Sequence, residues 1–316
     1  MPAEFEIGVG TWSWGERLIW DFGSDYDEQS LSEVFLRALR DRVLFFSTSE
    51  SFAEGRAEQI LGDFLSRATE RPFVSSKDAP YPWRLRRADF KSALRASLTR
   101  LRIPALDLYQ VLPPAGWMGL PVLAECLSEA YDSGLVRAVG VSNFTAQQIE
   151  QFYELLNRFG TPLSFVETEY SLLDRDIERN GVMEVCGRLN LRIIAQRPLA
   201  MGVLTGKFLS RPEPEGARRK FLSKYRNPSL SLLIRLMNNI GSEYEGKNCA
   251  QVSLNWLIRK GVVPIPGAKR IDQVMQNNQA AGWSLTDEDV QRLDDLSANL
   301  LNLNKETSST EEQQEA

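Results

Sequence analysis

The chain has 316 residues, of which 43% are hydrophobic and 25% are charged, a composition typical of a globular protein of one or two domains. It contains no histidine, which excludes Ser-His-Asp and Cys-His catalysis and removes the commonest zinc ligand, so we expect no metal site. The net charge of −5 argues against a nucleic-acid or membrane partner, since both present anionic surfaces.

Short β-rich runs alternate with amphipathic helical runs along the chain. A helical pattern follows each of the runs FEIGVG, RVLFFS, RPFVSSK, ALDLYQVL, VRAVGVS, LSFVETEYS, LRIIAQ and VVPIPG, which are typical of buried strands. The first two helices are predicted at residues 28–40 and 56–67, and Thr145 is suited to be the N-cap of a later one. Strands joined by helices form a parallel sheet. Eight such units predict a single-domain (β/α)8 TIM barrel over residues 1–297, with its active end at the carboxyl ends of the strands.

A doubly wound open sheet is the alternative fold for this alternation. It would usually carry G-x-G-x-x-G after the first strand, whereas the run GVGTWSWG does not open a helix. Residues 197–228 form a polar segment too long for a routine connection, which predicts a lid or a mobile insert. Residues 298–316 are polar and poor in hydrophobic residues, which predicts a disordered tail.

Cysteine usage and hydropathy bear on the compartment. Three cysteines lie far apart without a C-x-x-C pair, as is usual in a reducing environment. No apolar run has the length of a membrane span, and the first residues lack a signal-peptide pattern. We therefore expect a cytoplasmic protein, or one of the plastid stroma if a transit peptide has been removed.

Several segments, taken in order from Gly8 to Leu296, together resemble the aldo-keto reductases. They are GVGTWSWG, DLYQ, GLVRAVGVSNF, EYSLLDR, PLAMGVLTGK, AQVSLNWLI and VVPIPGAKR, and the closing AAGWSLTDEDVQRL is similar to the cyanobacterial and plastid branch. The resemblance implies a (β/α)8 barrel that binds NADP(H) without a Rossmann motif. It also implies carbonyl reduction, in which the nicotinamide delivers a hydride and a Tyr donates a proton. A Lys held by an Asp lowers the pKa of that Tyr, and a His orients the carbonyl.

The catalytic positions implied by the resemblance are mostly substituted. Ser47 stands in place of the Asp, Phe52 in place of the Tyr and Leu112 in place of the His, and only Lys77 is retained. The loss of a general acid typically costs about 10²- to 10⁴-fold in rate. Because Ser47 carries no charge, the sequence predicts a buried Lys77 without a counter-ion.

The resemblance also implies a set of cofactor-binding residues. Ser142 and Asn143 match the pair that binds the nicotinamide carboxamide, although either is also a good helix N-cap. Glu167 replaces a Gln of that site, and Gln196 replaces a Tyr that stacks on the ring. The phosphate and adenine end is closer to the family pattern, with Leu199, Lys207, Lys269, Arg270 and Asn277. Arg197 replaces a small polar residue there and either pairs with phosphate or is a solvated loop charge, and Gln273 stands near the position of a family Arg.

Three hypotheses about function follow from these substitutions. The first is a pseudoenzyme that binds NADP(H) weakly or not at all and acts as a sensor or through a protein partner. The second is an active NADPH-dependent oxidoreductase that reduces a small aldehyde or ketone, with Lys77, Tyr81, Tyr109 or a tyrosine of the long segment as the proton donor. The third is a variant or designed sequence that keeps the barrel without regard to catalysis.

Overall fold

The computed structural model describes residues 5–84, 86–114, 118–210, 214, 216–225 and 229–314, and for residues 301–314 it describes the backbone alone. This part of the chain contains eleven α-helices and eight strands, and each strand is followed by at least one helix. Among the residues described, a helix with the length and apolar character needed to span a bilayer is absent.

Eight parallel strands form one sheet in which each strand pairs with the next along the chain. Right-handed helical crossovers give this order when every strand is followed by a helix that packs on the outside. The strands are β1 (Val9–Gly10), β2 (Phe45–Ser47), β3 (Phe73–Asp78), β4 (Leu108–Val111), β5 (Val139–Ser142), β6 (Leu163–Glu169), β7 (Arg192–Gln196) and β8 (Val263–Pro264). The predicted parallel (β/α)8 arrangement is therefore confirmed, and the open doubly wound order is not adopted.

The two edge strands meet without forming a ladder, which differs from the predicted closed barrel. Gly8 and Gly10 donate their backbone N–H groups to the carbonyls of Pro264 and Pro266, at 3.0 and 3.1 Å. Proline has no N–H, so Pro264 and Pro266 accept these hydrogen bonds and return none, and the pairing that the structure describes at this junction is limited to one isolated parallel bridge between Gly10 and Gly267. The N–H of Ile265 points the other way, to β7. The sheet is therefore curled but open at this junction.

The helices surround the sheet and begin at recognisable caps. The side chains of Asp27, Thr145 and Asn248 each accept a hydrogen bond from the first turn that follows. The helix predicted at residues 28–40 is confirmed, and the second ends two residues earlier than predicted. The helices are α1 (Glu28–Arg40), α2 (Arg56–Leu65), α3 (Arg87–Leu101), α4 (Leu120–Asp132), α5 (Ala146–Arg158), α6 (Val182–Arg188), α7 (Ala217–Leu222), α8 (Leu230–Glu243), α9 (Cys249–Arg259), α10 (Ile271–Asn278) and α11 (Asp287–Gln314).

The interior of the sheet is built in two layers of different character. The lower layer is apolar and contains Phe45, Leu108, Phe165, Ile194, Val263 and Ile265. Because side chains on a strand alternate between faces, the residues two positions further along β2, β4 and β6 also point inward. These are Ser47, Gln110 and Glu167, all buried. A polar layer therefore lies directly above the apolar one, at the carboxyl ends of the strands.

The C-terminal tail is helical where the sequence predicts disorder. Helix α11 continues through Gln314, and residues 315–316 lie outside the described part of the chain. An existing helix extends without a new nucleation cost, and Glu, Gln and Leu are favourable residues in it. Composition alone misses this effect because it treats the tail as a separate segment.

The close approach of α2 and α3 depends on Gly62. A Cβ at this position would lie 2.1 Å from the carbonyl oxygen of Arg100. We expect Gly62→Ala to lower the free energy of unfolding by about 1–3 kcal/mol, because the helices must separate. A Cβ at Gly187, in α6, would have no heavy atom within 4 Å outside its immediate neighbours, so Gly187→Ala is the control. The control should be neutral or stabilising by up to about 1 kcal/mol. Equal effects in urea unfolding would contradict the packing argument.

Candidate active site

The centre of the polar layer is an ion pair between Lys77 and Glu167. The Nζ atom of Lys77 lies 2.9 Å from Oε1 and 3.0 Å from Oε2 of Glu167. Lys77 also donates to Oγ of Ser47 at 2.9 Å, and Ser47 donates to Glu167 at 3.2 Å. The side chains of Lys77 and Glu167 are 5% and 2% exposed. Strands β2, β3 and β6 thus meet in one buried, hydrogen-bonded cluster.

Gln110 and Ser75 complete this cluster from β4 and β3. The Nε2 atom of Gln110 donates to Oε2 of Glu167 at 2.9 Å and to Oγ of Ser75 at 2.8 Å. The prediction that Lys77 lacks a counter-ion is wrong. Glu167, on β6, supplies the carboxylate that the resemblance implies at residue 47.

Two apolar side chains occupy the other substituted positions. The ring of Phe52 lies above Lys77, with 5.5 Å between Nζ and the ring centroid. Phe52 begins a short 3-10 turn (Phe52–Gly55) and also lies 6.5 Å from the ring of Trp12. Leu112 follows β4 directly and is half-buried. Neither side chain offers a proton or a hydrogen-bond donor to a ligand above Lys77.

The tyrosines proposed as alternative acids are engaged elsewhere. Tyr109 points to the outer face of β4, where its ring packs against Phe90 at 5.8 Å. Burial raises the pKa of Tyr109 well above its usual value. Tyr81 stacks on Trp83 with 4.6 Å between centroids, and Tyr225 donates its hydroxyl proton to Glu169. None of the three contacts Lys77.

Residues at the ends of β5 and β7 form the edge assigned to the nicotinamide. Asn143 follows β5 with φ of 58°, and its Oδ1 accepts from Nε2 of Gln196 at 2.5 Å. Ser142 is buried at the end of β5. The N-cap of α5 is Thr145, as predicted, so the alternative role of Ser142 and Asn143 as caps of that helix is excluded.

Glu169, at the end of β6, forms hydrogen bonds with residues at both ends of the long segment that follows β7. It accepts hydrogen bonds from Arg197 at 3.0 Å, from Lys224 at 2.6 Å and from the hydroxyl of Tyr225. Burial acts to raise the pKa of Glu169, but the hydrogen bonds from Lys224 and Tyr225 and the charge of Arg197 hold it below its usual value. Arg197 also stacks over Trp12 at 5.0 Å. The described residues at the two ends of this segment therefore meet at the carboxyl end of β6.

A second group of cations lies around Trp20, and one of them, Arg218, is absent from the residues predicted from the sequence. The guanidinium of Arg218, in α7, stacks on Trp20 at 4.4 Å and donates to the carbonyl of Met201 at 3.0 Å. Its Nε atom is buried without a hydrogen-bond partner among the described residues. Lys207 approaches the same place, because a Cβ on Gly202 would lie 3.0 Å from its Nζ and 3.8 Å from Nη2 of Arg218. The run ARRK resembles a solvated loop, so only the fold reveals that Arg218 is buried.

The start of α10 brings Lys269 and Arg270 to the same side of the barrel. Nζ of Lys269 donates to the carbonyl of Trp20 at 3.0 Å and lies 3.4 Å from Oδ2 of Asp25. Gln273 accepts from the backbone N–H of Lys269 at 2.8 Å. The two remaining predicted residues lie apart from this contact. They are Leu199, which packs on the core after β7, and Asn277, which lines a narrow gap with Val9 and Val43 further along α10.

A separate ionic cluster stabilises the ends of β2 and β3. Arg84 donates to Glu50 at 2.5 Å and to Asp78 at 2.6 Å. Asp78 is 4% exposed. Burial and the charge of Glu50 raise the pKa of Asp78 to about 7, against the opposing effect of Arg84. Two carboxylates thus share one guanidinium, and one of them, Asp78, directly follows Lys77 in the sequence.

The pairing of Lys77 with Glu167 predicts strong coupling between residues 47 and 167. Glu167→Gln leaves a buried ammonium without a carboxylate and should cost about 3–5 kcal/mol in free energy of unfolding. Ser47→Asp alone places two carboxylates on one ammonium and should also destabilise. The double variant keeps one charge of each sign, so we expect it to regain a large part of the loss, measured by urea unfolding at neutral pH.

The control for this cycle is Ser47→Asn combined with Glu167→Gln. Asn has the shape of Asp without its charge, so it should not rescue the Glu167→Gln variant. Losses that simply add in the Ser47→Asp double variant, or an equal rescue by Asn, would show that charge balance at Lys77 is not what links these residues.

The raised pKa of Asp78 predicts a pH-dependent stability. The folded protein holds a proton on Asp78 between its usual pKa of 3.8 and about 7, while the unfolded chain does not. Stability from this group is therefore gained as the pH falls through 7. Asp78→Asn should be more stable than the parent at pH 8 by roughly 2–4 kcal/mol, and the difference should vanish towards pH 4. Asp63→Asn, in the half-exposed pair with Arg102, is the control. Parallel curves for parent and Asp78→Asn would refute this.

Comparisons with known proteins agree with this architecture. The sequence model of the aldo/keto reductase family matches residues 6–298. The chain is 37% identical to the chloroplastic pyridoxal reductase of Arabidopsis thaliana, over 91% of this chain and 82% of that protein. It is 26% identical to a Klebsiella pneumoniae aldo-keto reductase solved with NADPH, with a TM-score of 0.72 over 92% and 90% of the two chains. A glycerol dehydrogenase of Gluconobacter oxydans, 24% identical with a TM-score of 0.82 over 95% and 94%, has the same fold. The chain belongs to the aldo/keto reductase family.

Proposed function

We propose that the chain binds NADP(H) at the carboxyl end of its strands and is impaired as a carbonyl reductase. The observation that carries the proposal is the surrounding of Lys77. Its ammonium is bonded to Glu167 and Ser47 and faces the ring of Phe52. No tyrosine hydroxyl contacts this ammonium within the described part of the chain. The family's charge pair is thus retained without the acid that it serves.

The residues at the phosphate end suit a dinucleotide. Arg218 has a buried Nε atom without a partner in the described residues, and Gly202 leaves open the space between Arg218 and Lys207. Burial lowers the pKa of both Arg218 and Lys269, which means that an anion would stabilise their charged forms. Partly buried cations such as Arg218 and Lys269, together with the open space at Gly202, suit the binding of a phosphate group. The Klebsiella relative solved with NADPH supports the same cofactor.

The residues at the nicotinamide end suit the cofactor less well. A carboxamide needs an acceptor for its NH2 group and a donor for its oxygen. Glu167 offers only acceptor oxygens, and those are occupied by Lys77, Gln110 and Ser47. Oδ1 of Asn143 is engaged by Gln196. We infer that the nicotinamide is held with less hydrogen bonding than the phosphates.

Bound NADPH would supply a hydride to a carbonyl carbon. The chain's own task is then to neutralise the negative charge that develops on the carbonyl oxygen. In a dry site this charge needs a proton or strong donors at once. Phe52 and Leu112 supply neither, and the ammonium of Lys77 already donates to Glu167 and Ser47. The chemical step therefore lacks its acid, although hydride transfer itself requires none of the substituted residues.

A working oxidoreductase with altered chemistry is the second candidate function. Within the described part of the chain, the amino group of Lys77 is the basic group of the polar layer, and Glu167 lies 2.9 Å from it. In this reading Lys77 donates the proton to a small aldehyde or ketone. The name of the Arabidopsis relative makes pyridoxal the first substrate to test.

The setting of the protein completes the proposal. We infer that the eight units act as one domain, because Gly8 and Gly10 bond the first unit to the last. We place the protein in the cytoplasm, or in the plastid stroma in agreement with the chloroplastic relative. If the protein does not reduce carbonyl substrates, we infer that it acts as a cofactor-dependent sensor by binding a protein partner.

The experiment that tests the proposal measures binding and turnover on one sample. We expect NADPH to bind in a fluorescence titration, and reduction of pyridoxal and small aldehydes to be absent or at least about 10²- to 10⁴-fold below a relative with the complete tetrad. The variant Ser47→Asp, Phe52→Tyr, Leu112→His, Glu167→Gln should gain activity. The same variant without Glu167→Gln should gain much less, because two carboxylates then compete for Lys77.

Rapid reduction of pyridoxal or a small aldehyde by the unaltered protein would overturn the proposal that its carbonyl reduction is impaired. Lys77→Ala then tests the second candidate, since the donor role requires the rate to collapse. Lys77→Arg separates the proton from the charge, because Arg keeps the positive charge but does not deprotonate. A rate that survives in Lys77→Arg would exclude Lys77 as the acid.

A further inference from the structure

The segment between β1 and α1 supplies a carboxylate to the cations at the start of α10. Asp25 lies with Oδ2 3.4 Å from Nζ of Lys269 and Oδ1 3.6 Å from Nη1 of Arg270. The same segment gives Lys269 a second acceptor, the carbonyl of Trp20 at 3.0 Å. The two cations assigned to the adenosine 2′-phosphate therefore already share one carboxylate of the chain itself.

Asp25 is held in this place by an ordered turn. The carboxylate of Glu16 accepts from the backbone N–H groups of Ile19 at 2.6 Å and Trp20 at 3.0 Å. Two residues beyond Asp25, Asp27 caps α1 by accepting from the first turn of that helix. The position of Asp25 thus follows from hydrogen bonds on both sides of it.

The environment of Lys269 leaves little room for another arrangement. Its side chain is 12% exposed, and its Nζ lies 4.4 Å from the ring centroid of Tyr26 and 5.7 Å from that of Trp20. Asp25 is 53% exposed, so it approaches the cations from the solvent side. A ligand phosphate that reaches both cations from solvent must take the place of Asp25, because two anions on the same pair repel each other.

The chemistry of the two cofactors differs at this point. NADPH carries a phosphate dianion on the ribose, which competes with a carboxylate for Lys269 and Arg270. NADH carries a free 2′-hydroxyl, which a carboxylate accepts as a hydrogen-bond partner. A carboxylate at this position therefore penalises NADPH and tolerates NADH.

We propose that Asp25 is a specificity-determining residue that weakens the preference for NADPH over NADH by competing with the 2′-phosphate for Lys269 and Arg270. This inference rests on the proposed binding of NADP(H). It adds to that proposal a residue outside the expected cofactor positions.

The test is Asp25→Asn, with dissociation constants for NADPH and NADH measured by fluorescence titration. The variant should bind NADPH about three- to tenfold more tightly, in line with the modest strength of a half-exposed ion pair. NADH should bind equally or less tightly. The gain should shrink as salt is added, because exposed charges are screened. Adenosine 2′-phosphate should show the same gain, which removes the nicotinamide end from the comparison.

Asp272→Asn is the matched control. Asp272 is 60% exposed and lies 3.9 Å from Nε of Arg270, so the variant removes the same charge from the same surface without releasing Lys269. We expect it to change the NADPH affinity by about twofold or less. An equal gain in both variants, or no gain in Asp25→Asn while NADPH binds measurably, would overturn the role of Asp25 alone. A failure of both cofactors to bind to either protein would overturn the proposed function itself.

Discussion

The buried contact between Lys77 and Glu167 constrains everything else in the barrel's interior. An ammonium removed from water costs several kcal/mol unless a charge and further hydrogen bonds compensate it. Glu167 supplies the charge, and Ser47 and Gln110 supply the hydrogen bonds. Each of these side chains therefore depends on the others. A change at any one strand alters the charge balance of the whole polar layer, and for this reason the substituted positions are best understood together.

The same balance recurs at the rim, where the chain neutralises its own ligand-facing charges. Glu169 is paired with Arg197 and Lys224, and Asp25 is paired with Lys269. A ligand that binds at these places exchanges one ion pair for another, so its net gain is small. Arg218 differs, because its Nε atom is buried without a partner in the described residues. We expect an incoming anion to gain most at Arg218.

Local patterns in the sequence predict much of the fold, but they do not predict which side chains of distant strands contact each other. The helix at residues 28–40 and the cap at Thr145 follow from side-chain spacing and capping chemistry within a few residues. Lys77 and Glu167 are separated by 90 positions, and only the closure of strands around an axis brings them together. By the family pattern, Glu167 is a cofactor contact and Ser47 is a lost charge. That Glu167 supplies the charge absent from Ser47 follows only from their shared contact with Lys77.

This compensation changes what the presence of Lys77 means. A catalytic lysine needs a neighbouring acid to act upon, and Phe52 offers none. A structural lysine needs only a counter-ion and hydrogen-bond acceptors, and Lys77 has both. Removing Lys77 would leave Glu167 as an uncompensated buried carboxylate, which is strongly destabilising whether or not the protein catalyses a reaction. The stability of the fold is therefore a sufficient reason for a lysine at this position, and the presence of Lys77 is not by itself evidence of activity.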